Sequence, residues 1–243
     1  MCALAILPAR YGSSRFPGKA LTPIAGKPMI QHVWERTRLA KHVDAVIIAT
    51  DDEKIRSTCE AFGATVEMTA STHPTGTDRL AEVAARHAHE IIVNVQGDEP
   101  LIEAFVIDRA IETLLRDDRA SISTIVHRAE RAAFDDPNRV KVVVDSTGAA
   151  LYFSRSAIPH QRAGADVRPL QHVGLYVYRR DFLLEFTRLP QTPAEMAEGL
   201  EQLRALENGY RVVAAEIEGW TSIPVDVPED VAVVEAALRR SSG

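Results

Sequence analysis

The sequence predicts an α/β fold, a mostly parallel sheet flanked by helices with an antiparallel insertion. Three observations carry the prediction. Short apolar runs bounded by turn residues alternate with helical patterns through the first half, the mark of parallel strands joined by helical crossovers. After about Leu115 that rhythm gives way to strands without long helices between them. A strand and a last helix then close the chain.

Taken in order, "ALAIL" reads as a first buried strand, and "PMIQHVWERTRLAKHV" as a helix. In that helix Met29, Val33, Trp34 and Leu39 form an apolar stripe, and Pro28 stands where a first-turn proline is tolerated. "AVIIAT", "EKIRSTCEAFG", "TVEM", "DRLAEVAARHA" and "IIVNV" continue the alternation of strand and helix. In the second half "ISTIVHR", "VKVVVDSTGAALYFSR" and "HVGLYVYRR" read as strands, with a turn at Ser146 to Gly148. Tyr176 and Tyr178 are assigned to alternating strand faces. One helical stretch is expected over "PAEMAEGLEQLRALENG", ending at Gly209, with Leu200, Leu203 and Leu206 turned to the core. "RVVAAEI" is the next strand, and the last helix runs from Pro228 to about Leu238.

A chain of 243 residues buries a sizeable core as one large domain. A net charge of −6, with Lys and Arg scattered, argues against a nucleic-acid partner and for small ligands. Cys2 and Cys59 are the only cysteines and no zinc spacing occurs, so a reducing cytoplasm fits. The apolar run in "MCALAILPAR" is too short for a signal peptide or a membrane span.

The segment "LPARYGSSRFPGK" follows the first strand. Gly12 permits a tight turn, Ser13 and Ser14 add donors, and Arg10, Arg15 and Lys19 carry charge that complements a polyphosphate. It is not a P-loop: five residues separate Gly12 from Gly18 where a P-loop has four, and Ala20 stands where a magnesium-binding Ser or Thr belongs. Nor is there a Gly-x-Gly dinucleotide fingerprint. In "NVQGDEP", Asp98 and Glu99 fall just past a strongly apolar strand, where open α/β sheets place their ligands. A polyphosphate loop together with acidic strand ends points to Mg²⁺, a hard ion that one or two carboxylates hold together with substrate phosphates. Asp226 in "PVDVPED" is a second carboxylate in such a position, whereas Glu229 and Asp230 have the simpler use of complementing a helix N-terminus.

These pieces resemble the sugar-activating cytidylyltransferases, and most closely the 3-deoxy-manno-octulosonate (Kdo) cytidylyltransferases. The likeness runs from "PARYGSSRFPGKAL" and "GKPMIQHVWER" through "GTDRLAEV", "NVQGDEPLI", "ALYFSRSAIP" and "LEQLRALENGYR" to "VDVPEDV". It implies a Rossmann-like nucleotidyltransferase fold and a magnesium-dependent transfer of CMP from CTP to the hydroxyl of a small acidic acceptor, with release of pyrophosphate. By matching position, Arg10, Ser13, Ser14, Arg15 and Lys19 cradle the triphosphate, and Asp98 and Asp226 hold the metal. Ala9, Thr77, Arg79, Gln96 and Gly97 surround cytosine and ribose. Arg155 is suited to a bidentate hold on the acceptor carboxylate, and His172, Tyr176, Glu201, Gln202 and a shared Gln96 face its hydroxyls. Residues of about 1–116 then form the CTP-binding half, about 120–210 the acceptor-binding and dimerisation part, and 211–243 the return to the main sheet. The resemblance also implies a homodimer.

Some positions depart from the family pattern. Ala149 after Gly148 and Gly199 before "LEQLR" are smaller than usual. Val227 replaces a helix-capping Thr, a loss of about 1 kcal/mol, and Pro224 displaces a glycine. Most of these lie on the acceptor side or beside Asp226. Kdo is therefore the first expectation for the acceptor, phosphonoformate or another small acid the alternative, and a non-catalytic CTP-binding protein the remote one.

Overall fold

The computed structural model describes residues 2–12, 16–162 and 167–241. The chain divides into two compact units, Met1–Asp108 with Ser222–Gly243, and Arg109–Thr221.

Strand β1 (Ala3–Ala9) is the centre of the first unit, and residues 3–7 are wholly buried. A strand buried on both faces reads as a continuous apolar run, which "ALAIL" does. The short strands β2 (Pro23–Ile24) and β3 (Lys27–Pro28) form a hairpin, and helix α1 (Met29–Thr37) leads to β4 (Val43–Thr50). Helix α2 (Glu53–Ala61) starts at Asp52, whose side chain accepts from the amides of Lys54 and Ile55. Then come β5 (Thr65–Met68), α3 (Gly76–Ala84) and β6 (Ile91–Asn94). Strands β6, β1, β4 and β5 lie in that order and are parallel throughout. The chain moves outward from β1 to β4 and β5, then crosses back to β6 on the other side of β1. The C-terminal ends of β1 and β6 therefore flank a topological switch point, where ligands of open α/β sheets bind. Arg10 follows one of these ends, and Gln96, Gly97 and Asp98 follow the other.

Helix α4 (Ala104–Arg116) runs through the boundary between the units. The second unit contains β7 (Ala120–Arg128), β8 (Lys141–Val144), β9 (Ala150–Ser154) and β10 (Leu170–Arg179), then α5 (Arg180–Phe186), α6 (Pro193–Glu198), α7 (Gln202–Glu207) and β11 (Arg211–Glu216). Strand β10 pairs antiparallel with β7 and β8, and β8 antiparallel with β9, which is the expected insertion; β11 adds to β7 in parallel. Helix α8 (Asp230–Ser241) returns to the first unit.

Two local expectations are corrected. The single helix over residues 193–209 is two, because Gly199 takes φ +62 at the end of α6 and α7 restarts at Gln202. A left-handed φ ends a helix, and it is a conformation that glycine adopts without strain. Gly209, at φ +80, follows α7 as anticipated. The second correction concerns Tyr176 and Tyr178, whose ring centroids are 6.0 Å apart. Residues i and i+2 of a strand share a face, so the two rings are neighbours and do not alternate. In the core of this unit, the buried Arg204 donates to Glu195 at 2.8 Å and lies over the Phe186 ring at 4.8 Å. A buried guanidinium of this kind is tolerated only when paired and hydrogen-bonded.

Candidate active site

In the first unit the site grows from the strand ends. Gly18, at φ +72, donates its amide to the Tyr11 carbonyl at 3.0 Å and closes the loop that follows β1. Lys19 then opens a 3₁₀ turn, Lys19–Leu21. Its ammonium lies 2.7 Å from Asp98 Oδ2, 2.9 Å from the Val225 carbonyl and 3.9 Å from Asp226 Oδ1. The amide of Val225 donates to the carbonyl of Asp98 at 2.9 Å, so the backbone joins the two carboxylate-bearing segments. Val225 is wholly buried in an apolar cluster with Ile24, Met29 and Val234. That packing anchors the segment carrying Asp226. The segment is held from the helix side by Asp230, whose Oδ2 accepts from the amides of Asp226 at 2.7 Å and Val227 at 3.0 Å.

Arg10, Ala9 and Gln96 line a cavity of about 150 Å³ together with Pro8, His73, Thr75, Gly76 and Arg79. Arg79 is buried and held by Asp51 at 3.1 Å and by the Thr69 hydroxyl. Gln96 donates to Asn94 Oδ1 at 3.2 Å. Thr77 is buried on α3 and is not part of the lining. At Gly97 a Cβ would come within 3.1 Å of Ile30, tighter than the packing admits without a shift, which explains the glycine. Ser13, Ser14 and Arg15 lie outside the described residues.

His73, Thr75 and Gly76 escaped the sequence reading. The spacing Thr75-x-x-Asp78 was the available signal, since it forms a capping box that starts α3 at the cavity edge. His73 is in turn tied to Glu82 through its Nε2 at 2.5 Å. Glu99, beside Asp98, faces inward and accepts from Ser222 at 2.6 Å. Burial, reinforced by the charges of Asp98 and Asp226, pushes its pKa up to about 8.

The acceptor-side candidates fall in the second unit, apart from Gln96. The Tyr176 hydroxyl donates to Gln202 Oε1 at 3.1 Å, and burial together with the charge of Glu201 raises its pKa. Glu201 precedes α7 as its N-cap residue. Gln202 is buried and its Nε2 makes no hydrogen bond among the described residues, an orphaned donor of the kind that a ligand satisfies. The ring of His172 lies 5.2 Å from that of Tyr176. Its Nε2 is 2.9 Å from Thr124 Oγ1, whose single proton goes to the Leu175 carbonyl at 2.7 Å. The threonine must therefore accept, which puts the imidazole proton on Nε2 and leaves Nδ1 as an acceptor.

Desolvation lowers the pKa of His172 from 6.5 to about 3, so it stays neutral across the physiological range. The unfolded chain takes up this proton below pH 6.5 and the folded chain does not. Stability is thus fully present above pH 6.5 and is lost as pH falls towards 3, by at most about 1.4 kcal/mol per pH unit. Urea unfolding at pH 6.5 and 4.5 is expected to show a drop that is smaller by about 1–2 kcal/mol in His172→Gln. Equal drops in the two proteins would remove His172 as the source.

Arg155 follows β9. Its Nε donates to the Glu198 carbonyl at 2.7 Å and its Nη1 to the Pro137 carbonyl at 3.0 Å, which leaves Nη2 without a bond among the described residues. Backbone carbonyls thus take one donor from each of the two edges with which a guanidinium grips a carboxylate. As for the departures, Ala149 is buried in the β8–β9 turn, bridged to Val213, and a Cβ on the preceding Gly148 would come within 3.2 Å of the Ala214 carbonyl.

The parallel sheet, the switch-point cavity and the lysine–dicarboxylate cluster define a nucleotidyltransferase. The fold is shared with a solved cytidylyltransferase from Leptospira borgpetersenii, TM-score 0.67 at 18% identity, over 99% of this chain and 87% of the other. The family model for cytidylyltransferases matches residues 4–217. The chain is 55% identical to a 3-deoxy-manno-octulosonate cytidylyltransferase of Geobacter metallireducens, over 97% of both chains. It is 50% identical to one of Solibacter usitatus, over 98% of this chain and 95% of that one. A solved CMP:2-keto-3-deoxy-manno-octonic acid synthetase complexed with CTP superposes with TM-score 0.95 at 41% identity, over 99% of this chain and 100% of the other. The chain belongs to the 3-deoxy-manno-octulosonate cytidylyltransferase family. No described helix is long and apolar enough to cross a membrane.

Proposed function

We propose that the protein transfers CMP from CTP to a hydroxyl of Kdo, giving CMP-Kdo and pyrophosphate, with Mg²⁺ held by Asp98 and Asp226. The observation that carries this reading is the Lys19 ammonium bound by Asp98 Oδ2, Asp226 Oδ1 and the Val225 carbonyl. An ammonium there is a stand-in cation: the donor set is all oxygen and includes two carboxylates, which suits a hard divalent ion. Among the described residues no group of three or more His, Cys, Asp or Glu is arranged for a metal. Two carboxylates that share the ion with substrate phosphates suit Mg²⁺, which seldom uses an all-protein cage. When bound, the ion supplies charge neutralisation at the phosphate oxygens.

The chain's own residues do the rest. The cavity bounded by Gln96, Arg79 and the Ala9–Arg10 backbone is of a size for a pyrimidine ring and rich in donors and acceptors. Arg10 and Lys19 place positive charge where the leaving pyrophosphate gathers negative charge. In the transfer the acceptor hydroxyl gives its proton to solvent and its oxygen bonds to the α-phosphorus as the bond from that phosphorus to the bridging oxygen breaks and pyrophosphate leaves, so positioning and charge do most of the catalysis. Neutral His172, the Tyr176 hydroxyl and the orphaned Gln202 amide provide a polar wall for sugar hydroxyls, and Arg155 Nη2 a donor for a carboxylate.

The test is pyrophosphate release from CTP and Mg²⁺ with no acceptor, with Kdo, and with small phosphonates including phosphonoformate. Kdo-dependent release supports the reading. Release with phosphonoformate alone would transfer the acceptor wall to another acid, and CTP binding without release under any condition would make the protein a nucleotide binder.

A further inference from the structure

We propose that Glu198 is a positioning residue for the acceptor: it sets Arg155 and the Gln202 turn in one geometry, and the acceptor affinity depends on it. The proposal rests on the reading of Arg155, Tyr176 and Gln202 as the acceptor wall. Glu198 is the last residue of α6, directly before the Gly199 turn that leads to Glu201 and Gln202. Its Oε1 accepts from Ser154 Oγ at 2.6 Å and its Oε2 from the Arg155 amide at 2.9 Å. Its backbone carbonyl accepts from Arg155 Nε at 2.7 Å. One residue therefore grips the end of β9 three times while its chain neighbours carry the Gln202 side chain.

The opposite side of the Arg155 peptide is held as well. Lys141 is wholly buried, and its Nζ donates to the Arg155 carbonyl at 2.5 Å and to the Asp136 carbonyl at 2.9 Å. Lys141 stands opposite Ser154 in the β8–β9 register, so its ammonium reaches round the strand end from the neighbouring strand. With the amide on Glu198, the carbonyl on Lys141, Nε on Glu198 and Nη1 on Pro137, Arg155 keeps one end of its guanidinium, Nη2, for a ligand. A packing role alone would not require a carboxylate whose two oxygens both accept from the segment bearing the acceptor arginine. Preorganisation of this kind removes the ordering cost that a free arginine would bring to binding.

The test uses the full chain and four proteins: wild type, Glu198→Gln, Arg155→Ala and the double variant. Glutamine keeps the shape of Glu198 but loses its charge and turns one acceptor into a donor, so that with Oε1 on the Arg155 amide its Nε2 faces Ser154 Oγ and the serine must give up donating there. The expected result for Glu198→Gln is a Kdo KM raised about tenfold, with the CTP KM unchanged within about twofold. In the Arg155→Ala background the same change is expected to add no more than about twofold, the part that reaches the acceptor through the Gln202 turn, because most of its effect passes through Arg155. A Glu198→Gln effect that adds in full to that of Arg155→Ala, or that falls equally on CTP and Kdo, would overturn the proposal. Unaltered Kdo kinetics in Arg155→Ala would instead sink the acceptor-wall reading beneath it. Should Glu198→Gln fail to fold, Ser154→Ala removes one donor from the same carboxylate and is expected to raise the Kdo KM by a few fold, again only when Arg155 is present; no change would count against the proposal.

Discussion

Asp98→Asn is expected to lower pyrophosphate release from CTP and Kdo by about 10³-fold while CTP binding stays within a few fold of wild type. Asparagine keeps the volume, and the backbone carbonyl of residue 98 remains available to the Val225 amide, so the loop after β6 stays in place. What disappears is a full negative charge at the point where the Lys19 ammonium is held and where we propose Mg²⁺ binds. The loss is several kcal/mol of transition-state stabilisation and little ground-state binding. Turnover that survives in this variant would take Asp98 out of the metal set. Asp226→Asn makes a useful companion, because the Asp230 side chain holds the backbone of residues 226 and 227 whatever side chain residue 226 carries.

The second large effect is expected from Lys19→Ala. The protein holds the ammonium on Asp98, Asp226 and the Val225 carbonyl, and the proposed transfer has it meet the charge that builds up on departing pyrophosphate. Removing a preorganised positive donor of that kind costs about 10²–10³ in kcat. An interaction that strengthens only as the bond breaks lowers kcat and kcat/KM together. Steady-state kinetics with CTP varied at saturating Kdo separate the two roles. A raised KM for CTP at constant kcat would mean that Lys19 merely binds the nucleotide.

Much of the first unit was legible in the sequence, because its logic is local. Apolar runs such as "ALAIL" and "IIVNV" must be buried strands, and polar residues immediately past them, Arg10 and Asp98, must lie at strand ends. The carboxylate in "PVDVPED" stands out because a strand is expected before it; the described residues there form none, and Asp226 lies in an irregular segment that Val225 and Asp230 hold in place. Less was legible in the second unit. Its candidates rested on resemblance to a family, since Arg155, His172 and Gln202 are unremarkable residues when viewed one at a time. The break at Gly199 was missed because flanking residues with good helix propensity concealed a single left-handed position. Asp230 was anticipated only as a helix-end charge, whereas its carboxylate holds the amides beside Asp226.

The sequence by itself determined the α/β class, the strand ends that carry the candidate residues Arg10 and Asp98, the rejection of P-loop and dinucleotide patterns, and the family. Only the tertiary structure decided that Lys19 lies on Asp98 across 79 residues, that burial beside Thr124 holds the His172 pKa low, and that the Gln202 amide has no acceptor among the described residues. It also decided that Glu198 and Lys141 clamp Arg155 from either side. The physical reason is one of range. Hydrophobic periodicity and turn chemistry act over a few residues and are written in the local sequence, whereas desolvation and hydrogen-bond geometry depend on neighbours that only the folded chain brings together.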